Sequence, residues 1–215
     1  MQADKFTWLR NLGIDTVFDI GANVGQWAFY IRQVLPEARI ISVEPLPECY
    51  GALTAHFKAD GRFTAVCCAV SDYDGDTEFR RSSFNQSSSV LPMGDLHKAC
   101  FPFSAGEEAI RVPCRTLDAL AGEFGALGRI LVKMDVQGIE DRVIRGGLKT
   151  LSEAKVVVCE TSFVELYDGQ CLFKDVADLL YPLGFTYAGT WEEPLRDPRD
   201  GMCLEEDSIF VRRDG

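Results

Sequence analysis

The sequence predicts an α/β domain arranged around a parallel sheet. Short apolar runs at residues 16–20, 39–43, 129–135 and 155–160 read as strands buried on both faces, with helical patterns between them. The first run ends in a small-residue turn, Gly21, Ala22, Asn23 and Gly25, that opens a helix. A nucleotide-binding βα unit begins in the same way. The last two apolar segments, 185–191 and 207–213, flank a polar stretch at 192–206 and read as an antiparallel closing hairpin with a long loop.

Each element has its reason in the residues. Phe6, Leu9 and Leu12 recur at helical spacing over residues 4–12, and Gly13 stops that short capping helix. Val17, Phe18 and Ile20 make strand one. Trp27, Phe29, Tyr30, Ile31 and Val34 continue the helix that follows, until Pro36 ends it. Residues 39–43 are strand two. Pro47 stands near the start of a helix over 48–59, stopped by Asp60 and Gly61. Residues 63–70 read as strand three, with Ser71 and Asp72 at its end.

From 76 to 115 the α/β alternation fails. Residues 77–81 and 109–113 alternate like strands of a small antiparallel piece. Between them lies a long irregular stretch with Met93, His97, Cys100, Phe101 and Phe103, which reads as a substrate-facing lid. Thr116 caps a helix over 116–124. Residues 129–135 are strand four, 138–146 a helix, 155–160 strand five, and 173–183 a helix that Gly184 ends. With no repeat and no low-complexity tract, residues 1–215 read as one domain carrying an insertion at 76–115.

Composition narrows the function. No apolar run approaches the ~20 residues of a membrane span, and the first residues lack a signal peptide's basic start and apolar core. A net charge of −11 repels duplex nucleic acid and anionic membranes, so neither is an expected partner. A neutral hydroxylated small molecule or glycan suits that charge better. The eight cysteines include no C-x-x-C pair, and several lie in apolar strands. They read as buried reduced thiols, and a cytoplasmic setting goes with them.

The glycine turn selects among nucleotides. Gly21, Asn23 and Gly25 do not fit the G-x-G-x-x-G spacing of dinucleotide sites, and a P-loop would need Gly-Lys-Ser/Thr. Asp19, two residues before the first glycine, would repel a pyrophosphate and suits a ligand with an ammonium or sulfonium group. S-adenosylmethionine (SAM) carries both. Glu44 ends the second strand, where an acid can accept both hydrogen bonds of a ribose diol.

Three segments together, Asp19 to Gly25, Val43-Glu44-Pro45 and Asp135 to Glu140, resemble the FkbM family of SAM-dependent methyltransferases, over residues 12–211. The first segment marks SAM binding generally, and its pairing with the third points to this family. Gln137 stands where the family more often has Glu. The resemblance implies the doubly wound, mostly parallel, seven-stranded sheet of class I methyltransferases, Rossmann-like, with the antiparallel C-terminal hairpin. It implies SAM held by Asp19, Gly21, Ala22, Asn23, Gly25, Glu44, Pro45, Ser71, Asp72 and Asp135, with Asp72 either accepting from the adenine amino group or serving as a turn residue of Ser71 to Asp76. It implies O-methylation of a sugar, glycan or polyketide-type hydroxyl.

Lys133 and Asp135 share a face of strand four. A buried lysine needs a partner, and Glu160 on the neighbouring strand is a candidate. A hydroxyl acceptor must lose its proton. Asp135 or Glu140 is the candidate base, Lys133 positions the acceptor oxygen or the carboxylates, and His97 in the lid is a rival base. Asp135, Glu140 and Glu160 could gather a hard cation, but their spacing matches no metal signature and no metal is expected. Two other functions compete. An NAD-dependent oxidoreductase is disfavoured by Asp19 and the glycine spacing. A SAM-binding module without chemistry is disfavoured by the intact acids.

Overall fold

A computed structural model describes residues 3–126 and 128–212. The chain enters through a 3-10 turn, Ala3–Phe6, and a short helix α1 (Trp8–Asn11). There follow β1 (Thr16–Ile20), α2 (Gln26–Val34), β2 (Arg39–Val43), α3 (Pro47–His56), β3 (Phe63–Val66), β4 (Ala69–Ser71) and β5 (Gly75–Ser82). Next come α4 (Asp95–Cys100), β6 (Glu107–Thr116), α5 (Leu117–Glu123), β7 (Ile130–Met134), α6 (Glu140–Arg145), α7 (Leu148–Glu153) and β8 (Ala154–Ser162). The chain closes with α8 (Phe173–Leu180), β9 (Phe185–Thr190), β10 (Leu195–Arg196) and β11 (Cys203–Arg212).

The main sheet runs β3-β2-β1-β7-β8-β11, with β9 and β10 both on the far side of β11. Every pair from β3 to β8 is parallel, and β11 is antiparallel to β8 and β9. Seven positions across the sheet are filled as expected. The eighth strand, β10, is a two-residue addition on the same edge as β9. Alternation sends side chains to opposite faces of each strand. Phe18, Ile20, Val132 and Met134 pack with α5 to α8 on one face. Val17, Ile40, Leu131 and Val156 pack with α2, Phe6 and Trp191 on the other. Cover on both faces is what lets these strands carry apolar side chains on both sides.

Four expectations need correcting. Strand three does not run to residue 70. Its last ladder bond is Glu44 N–H to Val66 O at 3.0 Å, and Pro45 has no N–H to extend the pairing. The chain bends at Cys67 and Cys68, and β4 joins β6 and β5 in a separate three-stranded sheet. The lid is not irregular throughout, since it holds helix α4 and a 3-10 turn, Pro102–Ser104. The region 192–206 is not all loop, because it contains β10 and the first residues of β11. Helix α6 begins at Glu140 rather than 138, because Gln137 and Gly138 both have positive φ, 58° and 110°. Helix α7 was not foreseen. Thr116 does cap α5, with Oγ1 accepting from Ala119 N–H at 3.2 Å. Arg213, expected in the last strand, lies outside the described residues.

Candidate functional site

A cavity of about 520 Å³ opens beyond the C-terminal ends of the parallel strands. Ligands in open α/β sheets bind at that edge. Gly21, Ala22, Asn23, Glu44 and Pro45 wall one end, and Cys68, Ala69 and Val70 continue it. Lys133, Asp135, Val136 and Gln137 form the floor, and Glu160, Glu205 and Asp207 extend the site toward the closing strands. The lid covers it with Phe84, Phe101, Phe103 and residues 85–88.

The glycine turn is held by hydrogen bonds. Gly21 has φ +77°, and a Cβ there would lie 1.8 Å from the Asp135 carbonyl oxygen, so only glycine fits. The N–H groups of Gly21 and Ala22 both reach Val43 O. Glu44 pins the rest of the turn: Oε2 accepts from Asn23 N–H and Oε1 from Leu46 N–H, both at 2.8 Å. Each oxygen keeps a further lone pair for a ligand. Burial raises the Glu44 carboxyl to about 7, although the two N–H donors pull it down.

Below the turn lies a charged knot. Lys133 Nζ donates to Gly21 O at 3.1 Å and to Asp135 Oδ2 at 3.2 Å, and lies 3.7 Å from Asp19 Oδ1. Ser42 Oγ donates to Asp19 Oδ2 at 3.0 Å. Asp19 is fully buried and does not line the cavity. Its partner is Lys133, so its charge acts through the lysine and not on a ligand. Burial and the nearby Asp135 push the Asp19 carboxyl up, against the pull of Lys133 and Ser42. The lysine finds its partners in Asp135 and Asp19, where Glu160 had been expected.

Among the candidate bases the geometry separates Asp135 from Glu140. The Asp135 side chain is 30% exposed and lines the cavity. Glu140 is 2% exposed and does not line it. Its Oε1 accepts from Val136 N–H and both oxygens accept from Gly138 N–H, at 3.1–3.2 Å. Glu140 therefore clasps the turn after β7 rather than facing a substrate. His97 is no solvated loop residue, because it sits in α4 at 6% exposure between Phe101 and Tyr167. Its Nε2 is 3.1 Å from Ser104 Oγ, its Nδ1 is buried without a partner, and burial lowers its basicity. The ring still lines the cavity. Ser71, Asp72 and Gly25 do not. Ser71 is buried in β4, and Asp72 is exposed beyond it and accepts from Ser71 Oγ at 3.2 Å. Because strand three leaves the sheet early, the residues beside Glu44 are Cys68 to Val70 instead.

Residues 205 and 207 were read only as loop and strand. They are two acids at i and i+2, which places both on one face of β11, and Asp207 is the register partner of Glu160. That spacing was the available signal. Burial and neighbouring carboxylates, Asp135 first, raise Glu205 to about 8 and Asp207 to about 6. Six acids line the cavity against one lysine, and the raised values of Glu44, Glu205 and Asp207 mark a site short of positive charge, which a cationic ligand would supply. Among the described residues, no three His, Cys, Asp or Glu side chains are grouped to hold a metal ion.

A twisted parallel sheet, an antiparallel last strand and an acid-lined cavity behind a glycine turn define a class I, SAM-dependent type of methyltransferase. A family model, the methyltransferase FkbM domain, matches residues 19–187. The chain belongs to that family and is a methyltransferase. It is 30% identical over 170 residues to the 2-O-methyltransferase NoeI of Sinorhizobium fredii, covering 76% of this chain and 70% of that one. It is 27% identical over 209 residues to the 31-O-demethyl-FK506 methyltransferase FkbM of Streptomyces tacrolimicus, covering 84% and 76%. In fold it is similar to the methyltransferase FkbM of Methylobacillus flagellatus, with a TM-score of 0.54 at 13% identity. That likeness covers 92% of this chain and 43% of the longer one. The fibrillarin pre-rRNA processing protein of Methanococcus jannaschii gives 0.52 at 10% identity, covering 94% and 68%.

Proposed function

We propose that this protein transfers a methyl group from SAM to a hydroxyl of a sugar, glycan or polyketide-type small molecule. The observation that carries the reading is one cavity joining two kinds of wall. The same cavity is lined by the glycine turn with Glu44 and by lid aromatic rings together with a cluster of acids.

The glycine-turn wall fits SAM. Gly21 lets the backbone close on the ligand without a Cβ, and Glu44 keeps a lone pair on each oxygen for a ribose diol. Ala22, Asn23 and Pro45 complete that wall, and the excess of carboxylates favours a positively charged ligand. Bound SAM supplies an electrophilic methyl group on a sulfonium. The chain supplies alignment, which accounts for most of the effect in a displacement at carbon. Asp135 is the candidate to take the hydroxyl proton, since its carboxylate reaches the cavity. Lys133 fixes Asp135 relative to Gly21 and so sets the base against the cofactor wall. Phe84 and Phe103, edge to face at 5.4 Å, suit a sugar face or an apolar aglycone. The two O-methyltransferase relatives support oxygen as the acceptor atom.

No helix among the described residues is long and apolar enough to cross a membrane. Eight free cysteines support a reducing, cytoplasmic setting.

Thermal-shift measurements with SAM, S-adenosylhomocysteine and NADH test the cofactor, since a bound ligand stabilises by mass action. The first two should raise the melting temperature and NADH should not. Labelled methyl transfer to a panel of methyl glycosides and hydroxylated macrolides tests the acceptor. A shift with NADH alone would make the protein an oxidoreductase. Binding of SAM with no transfer to any acceptor would leave it a binding module.

A further inference from the structure

Gln137 sits at the turn after β7 with φ +58°, unusual for a residue other than glycine. Its backbone is held from the lid, where Ser89 Oγ donates to Gln137 O at 2.6 Å. Its side chain is fully committed. Nε2 donates to Asp135 Oδ1 at 2.8 Å and also to Glu160 Oε2. Oε1 lies 2.6 Å from the Tyr167 hydroxyl and accepts from it. Tyr167 OH is also 3.2 Å from Ser87 O in the lid. The amide has only one workable orientation, because its reverse would aim an oxygen at two carboxylates.

The pair it joins lacks a cation of its own. Lys133 touches the other oxygen of Asp135, and among the described residues Glu160 has no basic partner. The groups around the pair are Lys133 on β7, Asp19 on β1, Glu140 on α6, and Glu205 and Asp207 on β11. All but the lysine are acids. Burial, then Asp135 and the other acids, push the Glu160 carboxyl well above the ordinary range. The Gln137 N–H that reaches Glu160 opposes that push by favouring its charged form.

We propose that Gln137 is a positioning residue for methyl transfer: its amide, oriented by Tyr167 and anchored by Ser89, holds the Asp135 and Glu160 carboxylates together on the acceptor side of the cavity. The inference rests on the reading of Asp135 as the proton acceptor, and it adds Tyr167 and Glu160 to the machinery. It also gives the lid a second task, since the segment that covers the acceptor orients the bridge beneath it. A glutamate at 137 would remove both N–H donors and add a third negative charge.

The test follows the Glu160 carboxyl carbon by ¹³C NMR in glutamate-labelled protein, with the signal assigned by its loss in Glu160→Gln. Wild type, Gln137→Glu and Tyr167→Phe are titrated, and S-adenosylhomocysteine binding is measured on each by calorimetry. In Gln137→Glu the Glu160 midpoint should rise by at least about one pH unit, the coupling expected of adjoining carboxylates. Tyr167→Phe should raise it less and should speed amide exchange at residues 87–89. Midpoints unchanged in both variants would overturn the bridge. Should Gln137→Glu fail to fold, Tyr167→Phe decides alone. If S-adenosylhomocysteine does not bind wild type while the midpoints move as expected, the cofactor reading falls and the bridge stands.

Discussion

Asp19 and Lys133 face each other across β1 and β7 as register partners, 3.7 Å apart, in a core where Asp19 is wholly buried. Two opposite charges inside a sheet are tolerable only together, because either one alone keeps its full desolvation cost. Lys133→Met should therefore destabilise the protein by about 3–5 kcal/mol, the range for breaking a buried pair. Asp19→Asn combined with Lys133→Met should cost less than the two changes added. Urea unfolding of the four proteins measures this coupling, and strict additivity would mean that the pair is not coupled.

Asp135→Asn keeps the shape of the floor and removes the proposed proton acceptor. Transfer to the acceptor found in the panel should fall by about 10²–10⁴-fold, the usual worth of a positioned acid or base. S-adenosylhomocysteine should still bind by calorimetry. Turnover at the wild-type rate would remove Asp135 from the mechanism.

Glu140 holds a turn, so its loss should register as stability. In Glu140→Gln an amide replaces one acceptor oxygen with a donor and leaves a buried N–H unpaired, costing about 1–3 kcal/mol. The acidic limb of the pH–rate profile should stay where wild type has it. If that limb moved or vanished while the melting temperature held, Glu140 would be the base after all.

The acids also set a pH dependence of stability in the unliganded protein. Glu44 and Glu140 are raised from 4.5 to about 7, Glu205 to about 8, and Asp207 from 3.8 to about 6. A raised carboxyl holds its proton in the native state after the unfolded chain has released it. The native state then binds more protons, and stability falls as pH rises through that window. The contribution of these groups is fully present below about pH 4, and the melting temperature should decline from there toward pH 8. A scanning-calorimetry series that climbs over that range would contradict the burial of these groups.

Phe103 is 63% exposed beside Phe84 at the rim of the lid. An exposed ring contributes little to the core, so Phe103→Ala should change the unfolding free energy by no more than about 0.5 kcal/mol. The acceptor KM should rise, with the SAM KM unchanged, in steady-state assays. A change confined to the SAM KM would move the lid to the cofactor.

Much of this was legible in the chain itself, and for identifiable reasons. The strands at 16–20, 39–43 and 130–134 are apolar because both faces are covered, and such runs stand out. Gly21 was readable because only one residue type fits against the Asp135 carbonyl. What stayed hidden depended on partners distant in sequence. Asp19 read as a ligand contact because nothing local reveals that Lys133, 114 residues further on, lies against it. Asp72 read as an adenine acceptor because strand three leaves the sheet beside Pro45, a residue just past the end of β2 and distant in sequence. Glu140 read as a base because its first-turn position does not disclose that it folds back onto Gly138 N–H.

The departure of β4 from the main sheet has a consequence for how the enzyme can vary. The strands that carry the glycine turn and Glu44 and the sheet that carries the lid belong to separate sheets, meeting at the kink between Val66 and Ala69. Segments hung on the smaller unit can grow, shrink or change sequence while the methyl-donor end keeps its register. Only the few lid residues tied to the floor, Ser87 and Ser89 among them, are held against such change.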